Sequence, residues 1–107
     1  MTPRAPAHLR PSTRKWWRTT AEDYQLEPHH LKVLTLAAEA LDRCEEAREA
    51  ITAAGGPFTK DRFGQPRAHP AVSVERDARL SFARLLRELG LDDYEPPAPR
   101  PKRIGGR

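Results

Sequence analysis

Two tryptophans set among cations, Arg14-Lys15-Trp16-Trp17-Arg18, are the residues of this chain best suited to chemistry with a partner. Cationic side chains take phosphates and indole rings stack on bases, so the cluster reads as a nucleic-acid surface, with Arg10 as a further phosphate contact just upstream. The same residues have a competing internal use, in which at least one Trp docks its helix on the core. The two roles are compatible.

No constellation for catalysis or metal binding accompanies them. His29 and His30 are adjacent, so on a helix they point about 100° apart and cannot clamp one metal together. Cys44 and His69 have no recognisable ligand spacing, and no metal or cofactor is expected. Gly55-Gly56 lacks a following Gly-Lys-Ser/Thr, so there is no phosphate-cradling loop, and no serine sits in a nucleophile elbow. Cys44, the one cysteine, lies among Ala, Leu and Glu at helical spacing and reads as a small packing residue. A non-enzymatic, macromolecule-binding protein is the expectation.

Charge supports that direction through its distribution. The chain carries 19 Lys and Arg against 15 Asp and Glu, a net charge of +4. Arg4, Arg10, Arg14, Lys15 and Arg18 fall in residues 1–20 with no acid among them; Arg100, Lys102, Arg103 and Arg107 do the same in 96–107. Basic excess at both ends around a slightly acidic body is the layout of arms that meet polyanions. No long apolar run marks a membrane partner, and a reducing cytoplasm is the expected compartment.

The elements that must position these residues are mainly α-helical. Residues 1–11, with Pro3, Pro6 and Pro11 and no apolar period, read as a disordered arm. Ser12 is placed to cap a short helix through Tyr24. The longest helix is expected from Pro28 to Ala54, opened by the proline, braced by a Leu26–Leu31 staple and stopped by Gly55-Gly56. Within it Val33, Ala37, Ala40, Cys44, Ala47 and Ile51 follow a 4-3-4-3 spacing, a seam of mostly small residues for a partner helix or a second copy. A second long helix is expected from Pro70 to Leu89, closed by Gly90, and the pair should form an antiparallel hairpin. Between them, the segment Gly56 to His69 reads as a short β-hairpin with a glycine bulge or as a packed loop, its two Phe side chains anchored on a helix or on a neighbouring subunit. Residues 95–107, with Pro96, Pro97, Pro99 and Pro101, read as a disordered basic tail.

At 107 residues and 37% hydrophobic content, with mean hydropathy −0.78, the core of one copy is thin, a condition often completed by oligomerisation.

Three stretches then resemble one family. Leu26-Glu27-Pro28-His29-His30-Leu31 leads into the Ala-rich Leu36-Ala37-Ala38-Glu39-Ala40-Leu41-Asp42-Arg43. Asp61-Arg62-Phe63-Gly64-Gln65-Pro66-Arg67-Ala68-His69-Pro70 follows, and Leu85-Leu86-Arg87-Glu88-Leu89-Gly90-Leu91 closes. Their types and order resemble the small subunits of tailed-bacteriophage terminases, over residues 12–94. The resemblance implies a ring-forming, non-catalytic protein of the host bacterial cytoplasm that binds double-stranded viral DNA. It further implies recruitment or regulation of a large subunit holding the ATPase and nuclease, with the tail Arg100, Lys102, Arg103 and Arg107 as a candidate partner contact. The chain departs from many such subunits in lacking room for an N-terminal helix-turn-helix, so no DNA surface transfers residue by residue. The other reading of the same features is a small helical oligomeric adaptor that binds a protein partner without touching DNA.

Overall fold

Prolines open all three helices among the described residues of this chain. A computed structural model describes residues 3–91, with α1 at Pro11–Tyr24, α2 at Pro28–Ala53 and α3 at Pro70–Glu88. In each case the ring occupies the first turn, where the missing N–H has no helical partner to lose. The expected Ser12 cap is replaced by Arg10, whose extended backbone precedes Pro11 and whose side chain makes no cap bond.

The two long helices end and begin as their residues dictate. After α2, Gly55 and Gly56 take positive φ (90° and 141°), which lets the Gly56 N–H reach Ile51 O and the Gly55 N–H reach Thr52 O. These bonds satisfy carbonyls that the helix end leaves open. At its start, Leu26 and Leu31 both pack on the core, the geometry of a staple. His69 caps α3 through its ring, Nδ1 accepting from the Ala71 N–H at 3.0 Å.

The linking segment is paired: β1 (Phe58–Lys60) runs antiparallel to β2 (Pro66–Ala68), in the register Phe58↔Ala68, Thr59↔Arg67 and Lys60↔Pro66. The turn depends on Asp61, whose Oδ1 accepts from the Phe63 and Gln65 N–H groups, and on Gly64 at φ 81°. The expected anchoring of Phe58 and Phe63 on a helix does not occur. They are 70% and 74% exposed, because three-residue strands project beyond the helix ends and bring neither ring within reach of the core.

α2 and α3 pack against each other along most of their length, with Ala37, Cys44 and Ala47 of α2 and Ala78 of α3 buried. α1 lies across them, and the core beneath it joins Trp17 and Ala21 to Leu34 and Ala38, with Trp16, Leu31 and Leu89 at its edge. The remaining core residues, Ala5 and Leu9, correct the expectation of a disordered arm. Residues 3–10 lie on α2: Leu9 is 2% exposed, the Arg10 N–H donates to Asp42, and His8 Nε2 meets Glu39 at 2.8 Å. A non-repeating segment needs no helical period to be held when a few apolar contacts and fixed polar bonds secure it.

Candidate nucleic-acid and partner surfaces

The six N-terminal candidates separate into two groups with different roles. Arg10 is tied to α2, its Nη2 2.6 Å from Glu49 Oε2 and its Nη1 3.8 Å from Glu45. The Glu49 hydrogen bond is the main cause of its raised pKa. Arg14 donates to the Leu9 and Ala7 carbonyls at 2.5 and 3.3 Å, which folds the incoming chain onto α1. Trp17 is 3% exposed and donates its indole N–H to Thr35 Oγ1 at 3.2 Å. Trp16 is half-buried, its ring 5.5 Å from Phe82 and tilted by 54°. Adjacent helical positions diverge by about 100°, so the pair fastens α1 to the core on one side and to α3 on the other. Lys15 and Arg18 remain: both are exposed, and neither forms an ion pair among the described residues.

Two acids hold this arrangement, and residue type alone did not single them out. Asp42 is 6% exposed. Its carboxylate accepts from the Arg10 N–H (3.0 Å) and from Thr13 Oγ1 (2.5 Å), where Thr13 is itself 1% exposed. An anion at that end of α1 also meets the positive end of the helix dipole. The available signal was spacing, since Leu34, Ala38 and Asp42 recur every four residues on the stripe that faces α1.

Glu75 performs the second task, joining α3 to α2. Its Oε2 lies 3.0 Å from Arg48 Nε, 3.4 Å from Arg79 Nε and 3.5 Å from Cys44 Sγ. The Arg48 hydrogen bond leads the causes that hold the Glu75 pKa below the ordinary glutamate value, while burial pushes the Cys44 thiol up and away from a reactive thiolate. A carboxylate with a depressed folded pKa stabilises above its unfolded value and loses that contribution as pH falls through the folded one. Glu75→Gln should therefore flatten the acid side of the stability profile and leave it almost unchanged in shape toward neutrality, as read by thermal melts from pH 3 to pH 7 (about four units, spanning the usual carboxylate range).

Of the seam residues, Ala37, Cys44 and Ala47 are buried within one chain, whereas Val33, Ala40 and Ile51 are half-buried. Ala40 continues into a shallow open groove with Val74 and Ala78 as its apolar floor and Glu39, Arg43 and Asp77 at its rims. The His29 and His30 rings turn toward each other, centroids 4.1 Å apart, closer than their backbone directions alone imply. Among the described residues no group of three or more His, Cys, Asp or Glu is placed to hold a metal ion, and no helix is long and apolar enough to cross a membrane. Arg100, Lys102, Arg103 and Arg107 lie outside the described residues.

The hairpin is a further exposed cationic feature. It carries Lys60, Arg62 and Arg67, with the Arg62 guanidinium 5.1 Å above the Phe63 ring. The one acid beside them, Asp61, is engaged by the turn.

Comparison with curated proteins and with solved structures gave no match. A family model does match: residues 13–94 fit that of the phage terminase, small subunit, a span that contains α1, α2, the hairpin and α3. This chain, with three helices and a paired β-hairpin among its described residues, belongs to the phage terminase small-subunit family, whose members serve in viral genome packaging and are generally non-catalytic.

Proposed function

We propose that the protein binds double-stranded viral DNA as a homo-oligomeric ring in the host cytoplasm and recruits or regulates the large terminase subunit, which supplies the ATPase and nuclease. The observation that carries this reading is the sorting of cations on and beside α1. Around α1, Arg10 pairs with Glu45 and Glu49 and Arg14 donates to backbone carbonyls, whereas Lys15 and Arg18 face solvent unpaired among the described residues. Unpaired surface cations on a rigid helix are what a phosphate backbone attracts, through release of its condensed counterions. The basic tail at Arg100 to Arg107 is assigned to the large subunit.

The test is the salt dependence of binding to duplex DNA. Replacing Lys15 and Arg18 with Ala together should lower the slope of log affinity against log salt by about two for each copy that touches DNA, close to one per phosphate contact. An unchanged slope removes α1 from the DNA surface.

A further inference from the structure

The hairpin is poorly explained by the fold of a single copy. Two three-residue strands are marginal alone, yet they hold two large aromatic rings in water. Around those rings, residues 57–69 carry Lys60, Arg62 and Arg67 against Asp61 alone, and none of the three cations is in an ion pair among the described residues.

A complementary surface occurs at the other end of α2. The corner between α1 and α2, residues 21–31, carries Glu22, Asp23 and Glu27 and no Lys or Arg. All three acids are exposed and outside any ion pair among the described residues. Two of the three positions do not serve helix stability: Glu22 and Asp23 occupy the last turn of α1, where the helix dipole disfavours negative charge, whereas Glu27 at the N-cap of α2 suits the dipole but makes no side-chain cap bond. Tyr24, 37% exposed, sets an aromatic side chain among them.

We propose that the hairpin of one copy docks on the α1–α2 corner of the next, a contact that rests on the ring reading above. Phe58 and Phe63 supply the apolar centre, and Lys60, Arg62 and Arg67 face Glu22, Asp23 and Glu27. The two surfaces are separated by α2, whose 26 residues span about 39 Å, so one copy cannot satisfy its own hairpin. A contact between two different patches is heterologous, and repetition of it closes a ring where the rotation permits.

Charge reversal tests this on the full chain. Lys60→Glu/Arg62→Glu/Arg67→Glu makes both surfaces acidic; Glu22→Lys/Asp23→Lys/Glu27→Lys makes both basic. Each alone should associate about a hundredfold more weakly in light scattering, since like charges then face each other across the contact. Mixed in equal amounts, the two should assemble again, alternating acidic and basic copies. The altered side chains are exposed, and an unchanged helical circular dichroism spectrum checks that each variant folds. Phe58→Ser/Phe63→Ser, which alters no charge, should weaken assembly as well. If both charge variants keep the wild-type multimeric mass, the contact is overturned and the ring uses another surface. Loss of DNA retention by the hairpin variant at unchanged mass overturns it in favour of nucleic acid on the hairpin. A monomeric wild type overturns this contact together with the ring reading itself.

Discussion

Trp17→Ala is expected to lower the unfolding free energy by about 4 kcal/mol, in the range for truncating a buried aromatic side chain. Trp17 is 3% exposed at the centre of the cluster formed by Leu9, Ala21, Leu34 and Ala38, and its indole N–H is bonded to Thr35. Its removal leaves a cavity beneath α1 and frees the arm through Leu9, so the surroundings have few large side chains with which to fill the space. For a domain of this size the melting temperature should fall by roughly 20 °C. Comparison must be made at one protein concentration, because association raises apparent stability. Lys15→Ala/Arg18→Ala should by contrast shift the melt by only a degree or two, as exposed substitutions commonly do (about ±0.5 kcal/mol each). A fall below about 5 °C for Trp17→Ala would show that the indole is not a core element.

Asp42→Ala is expected to cost about 3 kcal/mol, close to the effect of Trp17→Ala although no large apolar group is lost. The substitution strips two donors, the Arg10 N–H and the Thr13 hydroxyl, of their acceptor. Thr13 is 1% exposed, so water cannot take the carboxylate's place. Thr13→Val removes one of those donors in advance. The double variant should then be less destabilised than the sum of the singles by about 1 kcal/mol, measured by urea titration. Strict additivity would mean that the Thr13–Asp42 bond contributes nothing.

These two residues also mark the boundary of what the sequence made legible. Helix extents followed from local chemistry: prolines at 11, 28 and 70, the glycine pair at 55 and 56, and Gly90 are signals that act within a turn of the chain. The hairpin was likewise readable as one of two alternatives, from Asp61 and Gly64 at the turn. Tertiary placement was less accessible. Ala5 and Leu9 in a proline-rich segment show no period, and their burial depends on α2 lying beside them, a relation between residues about 30 positions apart. Asp42 is similar, since a carboxylate in a charged helix is ordinarily solvated and only its register with Leu34 and Ala38 points inward.

The candidate surface was legible as a composition and less so as a geometry. Arg10, Arg14, Lys15, Trp16, Trp17 and Arg18 look alike as a cationic, aromatic run, yet four of them contribute to the packing of α1. Which cations remain for a partner depends on which carboxylates the fold places nearby, and those lie on α2 at Glu45 and Glu49. Lys15 and Arg18 are left over by that geometry rather than by their own type.

The most direct test of the account is the affinity of the intact chain for duplex DNA, followed by fluorescence anisotropy as salt is raised from about 50 to 200 mM. The account predicts binding at the low end that weakens linearly on a log–log plot with a slope of several units, since each copy of an oligomer adds its own Lys15 and Arg18 contacts. An absence of binding even at the lowest salt, where phosphate contacts are strongest, would contradict it and leave a helical adaptor that meets only protein.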